Sequence, residues 1–144
     1  FIVNLMSIEN KIRLNALNND DLKIFSFLCQ DAIISKEEIF YDKTKKLFVT
    51  TLTRFCWEHH ELNDKSISYR VVTGLQIRNV NNVEYINFNS KMSFYNLLAI
   101  TYDKKNIILN LSMSSNIKLY CKNINATIED IEIPWPTKLK PLHK

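Results

Sequence analysis

Glycine occurs only once among the 144 residues of this chain, at Gly74. Tight turns and the close approach of backbone to phosphate usually need glycine, because it has no Cβ and adopts left-handed backbone at little cost. The Walker loop and the dinucleotide-binding fingerprint each need several glycines within one short segment. The sequence therefore excludes P-loop nucleotide-binding proteins and Rossmann enzymes.

Clusters of Asn and Asp take the place of glycine at the expected turns. These residues tolerate left-handed backbone better than other residues with a side chain, and they bond to the backbone nearby. The clusters begin at Asn18, Asp42, Asn63, Asn79 and Asp103. They divide the chain into pieces whose length is typical of strands.

Seven of these pieces predict β-strands, because Thr and aromatic residues are frequent in them and polar and apolar positions alternate. The first piece could also form a buried helical turn. The predicted strands cover residues 22–33, 34–41, 47–57, 68–78, 83–88, 94–102 and 107–113.

The period changes after residue 116. Apolar residues then recur at intervals of three or four, which is typical of one face of an α-helix. Ser114, Ser115 or Asn116 can cap the start of such a helix, and Pro134 prevents its continuation. The predicted helical face contains Ile117, Tyr120, Cys121, Ile124, Ile128 and Ile131.

Seven strands followed by one helix is the element order of pleckstrin-homology-like barrels. We therefore predict a mainly β fold with a C-terminal α-helix, a barrel of about seven strands capped by that helix. The alternative is a generic α+β two-layer fold. We expect one domain over residues 11–136, after a poorly ordered lead of residues 1–10 and before an extended basic tail of residues 137–144.

The charge and hydropathy of the chain indicate a small cytoplasmic protein without a membrane span. No apolar run approaches the roughly 20 residues that cross a bilayer. The net charge is +4, and only 4 of the 19 basic residues are arginine, the better ligand for phosphate. We interpret the lysine clusters as a solvated turn and a loose tail, and we do not expect nucleic acid as a partner. The clusters are Lys43, Lys45, Lys46 and Lys138, Lys140, Lys144.

The segment from Arg54 to His60 is the densest group of reactive residues. A zinc site there would use Cys56, His59 and His60, with His143 as a further candidate, and zinc needs three or four converging ligands. Residues four apart on a strand are separated by roughly 13 Å, so this site requires a bend after Trp57. We expect no cofactor.

A catalytic cysteine is the second interpretation of this segment. Cys56 would need a histidine, an acid such as Glu58 or Asp31, and a depressed thiol pKa. Cys56 shares strand parity with Phe48 and Leu52, which favours a buried structural thiol.

A polar network is the third interpretation, and the one we favour. Charged residues within apolar strands are costly unless they are paired, so we expect Arg54 to meet Asp31 or Glu58 in a buried pair. The alternative is that these residues form the floor of a binding groove. The candidate residues are Gln30, Asp31, Arg54, Trp57, Glu58 and Arg70.

Several short motifs, through their order and spacing, carry a family resemblance from about Lys11 onward. They are Asp21-Leu22, Gln30-Asp31-Ala32, Arg54-Phe55-Cys56-Trp57-Glu58, Arg70-Val71, Leu97-Leu98-Ala99-Ile100, Ile117-Lys118-Leu119, Asp130, Pro134-Trp135, Pro141 and His143. With these motifs the chain resembles an uncharacterised, mainly proteobacterial family, domain of unknown function 2948. Relatives tend to be rich in glycine where this chain has residues 113–116. The resemblance implies no activity.

The sequence favours a non-enzymatic binding or adaptor module whose groove or sheet edge receives a protein or peptide partner. The alternative is an enzyme or metal-binding protein centred on residues 54–60. A weaker alternative is the binding of anionic lipid or nucleic acid through the lysine-rich turns. A structure that seals Arg54, Cys56 and Glu58 in the core would argue against the enzyme, and an open pocket lined by them would support it.

Overall fold

The computed structural model describes residues 11–58 and 68–137. This part of the chain contains eleven strands, one complete α-helix (α1, Asn19–Leu28) and one 3-10 turn (Lys36–Glu38), and Trp57 and Glu58 are also helical. The strands are β1 (Arg13–Ala16), β2 (Ala32–Ser35), β3 (Ile39–Asp42), β4 (Leu47–Phe55), β5 (Ser68–Ile77), β6 (Asn82–Ile86), β7 (Phe94–Tyr102), β8 (Asn106–Leu111), β9 (Asn116–Tyr120), β10 (Ala126–Asp130) and β11 (Trp135–Thr137). The predicted lead and most of the predicted tail lie outside the described residues.

All eleven strands belong to one antiparallel sheet. Nine of them form a path in the order β1-β10-β5-β4-β2-β7-β8-β9-β6, while β11 pairs with β5 and β3 pairs with β4. Within the described residues this path is open, since β1 and β6 lie at its two ends. Helix α1 packs on β7 and β1. No helix in the described part of the chain is long and apolar enough to cross a membrane.

The turns use left-handed residues other than glycine. Asp31, Asn79 and Asn87 have positive φ, as do four further residues of other types, and none of the left-handed residues in the described chain is glycine. Gly74 lies in the middle of β5 instead, opposite Thr51 of β4 and Glu129 of β10. Of these three positions only Asn79 belongs to a cluster at which the sequence predicted a turn, since Asp31 and Asn87 lie within predicted strands.

The prediction of a barrel capped by a C-terminal helix is wrong. The segment forms strands β9 and β10, and buried residues alternate along β9. Leu119, which the helical face omitted, is fully buried, whereas Tyr120 and Ile131, which it included, are 41% and 54% exposed. Two strands joined by a turn happened to place their isoleucines at helical intervals, and β-branched residues pack well in strands.

The helix occurs near the N-terminus, where the sequence predicted a strand. Asn18 caps it, because its side-chain oxygen accepts a bond from the amide of Asp21 at 2.9 Å. Leu22, Phe25 and Leu28 are buried at intervals of three residues. The Asn18–Asp21 cluster, interpreted as a turn, is the start signal of this helix. The fold is thus mostly β with one short N-terminal helix, and not a pleckstrin-homology-like barrel with a C-terminal helix.

Candidate functional site

Arg54 is the most deeply buried charged residue of the described chain. It lies on β4 and is fully inaccessible to solvent. Its two terminal nitrogens each donate to one carboxylate oxygen of Glu58 at 2.8 Å. This two-pronged pair joins the end of β4 to the short segment that follows it.

Asp130 is the second carboxylate of the network. Oδ2 of Asp130 accepts a bond from a terminal nitrogen of Arg54 at 2.9 Å and another from the amide of Ile12 at 2.9 Å. Oδ1 accepts from the hydroxyl of Thr73 at 2.7 Å. The side chain of Asp130 therefore connects β10 with β5, with β4 and with the residue that precedes β1.

The strand register explains why these side chains meet. Thr73 and Asp130 lie directly opposite each other on β5 and β10. Strand β4 pairs with the other edge of β5, where Arg54 lies opposite Val71. Thr73, two residues further along β5, is therefore the diagonal neighbour of Arg54 on the same face. We call Arg54, Glu58, Thr73 and Asp130 the arginine network.

The arginine network has one cation and two carboxylates in the core. Burial alone lowers the pKa of the Arg54 guanidinium, but Glu58 and then Asp130 outweigh this effect and raise that pKa above its ordinary value. Arg54 is therefore a permanent cation. Since each polar atom of the guanidinium and of Asp130 has partners, the network can stabilise the fold, and it has no exposed face from which to act on a substrate.

The other candidate residues lie around this network. The indole nitrogen of Trp57 donates to the backbone oxygen of Gln30 at 3.2 Å, and its ring packs on Phe55 at 4.4 Å. Asp31 has left-handed backbone, and its amide donates to Leu97. The structure thus brings Arg54 together with Glu58 and does not place Asp31 in the ion pair.

Arg70 is half-buried on β5, outside the ion pair. One of its terminal nitrogens lies 3.5 Å from the backbone oxygen of Thr53. Burial lowers its pKa, and this effect is partly offset by Cys56 and Asp31. Arg70 therefore lines the edge of the same region without joining the arginine network.

The cysteines of the described chain are buried, free thiols. Burial raises the pKa of Cys29 and of Cys56 from 9.0 to about 12, although the positive charge of Arg54 partly opposes it. A nucleophilic cysteine needs the opposite shift. Cys56 is therefore held as a neutral thiol. His59 and His60 lie outside the described residues. Among the described residues, no group of three or more metal-binding side chains occurs.

We expect the buried thiols to make the protein sensitive to alkali. In the unfolded chain they ionise near their ordinary pKa, so the unfolded state gains stability above about pH 9 while the folded state keeps neutral thiols up to about pH 12. Stability should be complete below pH 9 and fall between these limits. Urea midpoints measured across this range should decrease, and replacing both Cys29 and Cys56 with alanine should reduce that decrease. Reaction of these thiols with a thiol reagent in native buffer, as fast as free cysteine, would contradict their burial.

A groove lies on another part of the molecule, between strands β3 and β6. It is a cavity of about 320 Å³ lined by Lys36, Ile39, Tyr85 and Phe88. The hydroxyl of Tyr41, also on β3, donates to the backbone oxygen of Val80 at 2.6 Å and joins β3 to the segment before β6. We call this cavity the edge groove.

A second cavity of about 480 Å³ lies beside the edge groove. The two cavities share Lys36. The second is lined mainly by residues from the end of β2 and from the segment that leads into β7, namely Ser35, Glu37, Ser90, Met92, Ser93 and Phe94. None of these groove residues is among the candidates predicted from the sequence, because the groove depends on which strands become neighbours.

Residues 12–143 match the family model described as "Protein of unknown function (DUF2948)". The chain belongs to the DUF2948 family. No curated protein and no solved structure matches it.

Three residues of the motifs that resemble DUF2948 meet in the arginine network, namely Arg54, Glu58 and Asp130. The turn between β8 and β9 has left-handed backbone at both Met113 and Ser114, a conformation that glycine adopts at little cost. The turn therefore has a shape that glycine would favour.

Proposed function

We propose that this DUF2948 protein is a binding module that receives an extended peptide in the edge groove. One observation carries this proposal: β3 and β6 border the same cavity, and within the described residues each pairs with a strand on one side only. A strand with an unpaired side presents N–H and C=O groups that can bond to an added strand. A peptide entering the groove would extend the sheet from β6.

The lining of the edge groove suits alternate side chains of such a peptide. Ile39, Tyr85 and Phe88 supply apolar and aromatic surface, and the rings of Tyr85 and Phe88 pack edge to face at 5.3 Å. In strand addition, backbone bonds supply affinity and side-chain pockets supply specificity. The groove therefore favours a peptide with an apolar residue at the position that faces Tyr85.

Lys36 adds a charge preference. Its Nζ donates to the backbone oxygen of Asn89 at 3.3 Å, and the ion pairs of the described residues do not include it. A peptide carboxylate beside Lys36 would supply the missing counter-charge. We therefore expect the preferred peptide to carry Asp or Glu next to its apolar anchor.

The enzyme centred on residues 54–60 has less support. Arg54 and Cys56 are fully buried, and Glu58 is 5% exposed. Catalysis requires contact with a substrate, and these groups contact each other and the core instead. A cytoplasmic location and a bacterial source remain part of our proposal for the peptide-binding module.

Peptides selected from a displayed random library on the folded protein provide the test. We expect selected peptides to lose about 10-fold or more in affinity when Tyr85 is replaced with alanine, because truncation of an aromatic anchor typically costs 2 kcal/mol or more. Fluorescence anisotropy of labelled peptide measures this loss. Amide exchange should show new protection in β6 when peptide is bound.

Phe40→Ala is the matched control for Tyr85→Ala. Phe40 is also an exposed aromatic residue, and it lies on β3 next to Ile39, so its side chain points to the opposite face. Its replacement should leave affinity unchanged. Equal losses in both variants, or peptide-induced protection confined to strands other than β3 and β6, would refute binding in the edge groove.

A further inference from the structure

Lysines from three of four neighbouring segments lie at one end of the sheet. The β3–β4 turn, the link from β5 to β6, the β7–β8 turn and the end of β9 are joined there by backbone bonds. These bonds run from the amide of Val80 to the oxygen of Lys46 at 2.9 Å, from Asn81 to Tyr120 at 2.8 Å, and from Cys121 to Lys105 at 2.9 Å. We call this surface the basic end; its lysines are Lys43, Lys45, Lys46, Lys104, Lys105, Lys118 and Lys122.

The basic end carries a net positive charge. Arg78, in the link from β5 to β6, adds an eighth basic residue to its seven lysines. The acidic residues in or beside the same segments are Asp42, Glu84 and Asp103. Cations therefore outnumber carboxylates at this end of the sheet.

Two of the three acidic residues at this end are engaged with backbone. A carboxylate oxygen of Asp42 accepts from the amide of Lys45 at 3.0 Å. Asp103 accepts from the amides of Lys105 and Asn106 at 3.1 and 2.7 Å. The third, Glu84, lies directly opposite Lys118 on the neighbouring strand. The ion pairs of the described chain do not include any lysine of the basic end, so the lysines other than Lys118 are available to an anionic partner.

Tyr120 supplies an aromatic surface among these charges. It is 41% exposed and follows Lys118 on the same face of β9, because alternate residues of a strand share a face. Its neighbours across the sheet are Asn82 of β6 and Asn106 of β8. An exposed ring bordered by lysines and amides can stack on an unpaired base while the lysines contact phosphates.

We propose that the basic end binds single-stranded nucleic acid without sequence specificity. Lysine serves this role as a point charge, since contacts to phosphate need no two-pronged geometry. Double-stranded nucleic acid offers no unpaired base to Tyr120, so it should bind more weakly. This surface is separate from the edge groove, and neither proposal depends on the other.

Fluorescence anisotropy with a labelled oligothymidylate of roughly 16 nucleotides tests this proposal. We expect binding at low salt, with an affinity that falls as salt rises. Replacing Lys105 and Lys122 with glutamine should weaken binding by roughly 10-fold near 0.1 M salt and lower the slope of log affinity against log salt by about 1.4, or 0.7 for each lost phosphate contact. Tyr120→Ala should weaken binding by about 5-fold or more and leave that slope unchanged, while Tyr120→Phe should retain affinity.

Replacing Lys11 and Lys91 with glutamine is the matched control. Both lysines are exposed and lie outside the basic end, and their replacement removes the same charge. Equal weakening by this control pair, absence of binding at low salt, or Tyr120→Ala binding like the wild type would overturn the proposal. Binding to phosphatidylserine vesicles without binding to the oligonucleotide would also overturn it. Tyr85→Ala should not alter oligonucleotide binding, so this result is independent of the peptide test.

Discussion

Replacing Arg54 with leucine should lower the free energy of unfolding by about 3–5 kcal/mol, the usual cost of removing one partner of a buried ion pair. The variant leaves the carboxylates of Glu58 and Asp130 facing each other in the core without a cation. Most small domains have a total stability of about 5–15 kcal/mol. This single change should therefore remove a large part of the stability, which urea unfolding measures.

The surface pair Arg13–Glu129 provides the control. These side chains lie 3.6 Å apart on β1 and β10 and are 60% and 58% exposed. Arg13→Leu should change stability by less than about 1 kcal/mol, because exposed ion pairs contribute little. An Arg54→Leu protein as stable as Arg13→Leu would show that the network has no structural importance.

A second substitution separates charge from packing. Replacing Arg54 and Glu58 together with leucine removes one uncompensated carboxylate, so the double variant should be more stable than Arg54→Leu alone. If Arg54→Leu does not fold, Arg54→Lys retains the charge without the two-pronged geometry and should show a smaller loss. A double variant less stable than either single variant would attribute the loss to packing.

Replacing Asp130 with alanine should lower the free energy of unfolding by about 3–5 kcal/mol. This loss is similar in size to that of Arg54→Leu but has a different cause. The substitution leaves Arg54 with one carboxylate instead of two, and it leaves the hydroxyl of Thr73 and the amide of Ile12 without their acceptor. A buried donor without a partner costs about 1–3 kcal/mol. The pairing of β1 with β10 should weaken most.

Amide exchange combined with urea unfolding measures both parts of this prediction. Asp130→Ala should reduce stability and abolish the protection of the Ile12 amide. Glu129→Ala, one residue away and exposed, should change neither by a comparable amount. Retained protection at Ile12 in Asp130→Ala would mean that the carboxylate does not hold the start of β1.

Five strands in the middle of the chain could be predicted from sequence because their signals are local. The observed strands β4 to β8 agree with the predicted strands except for small differences at the ends. The predicted strands are 47–57, 68–78, 83–88, 94–102 and 107–113. Alternation, Thr and aromatic content, and turns of Asn and Asp are sufficient there. Cys56 was correctly expected to be buried on the same grounds, since it follows the parity of Leu52 and Phe48.

The two ends of the chain were misread because a short apolar segment fits more than one period. Leu22, Phe25 and Leu28 satisfy a helix, yet their Phe and Ile neighbours also suit a strand. Ile117 and Ile124 fit a helical spacing that the pairing of β9 with β8 and β6 overrides. Local pattern alone could not decide between these structures.

The amino-acid sequence excluded glycine-dependent nucleotide folds, indicated a β-rich chain and predicted a buried partner for Arg54, either Asp31 or Glu58. Tertiary structure decided everything that joins distant segments. Asp130 lies 76 residues from Arg54, and the amide of Ile12 lies 118 residues from Asp130, so no spacing could reveal these contacts. The edge groove and the basic end arise in the same way. Strand pairing fixes which turns and edges become neighbours, and side-chain periodicity carries no information about that choice.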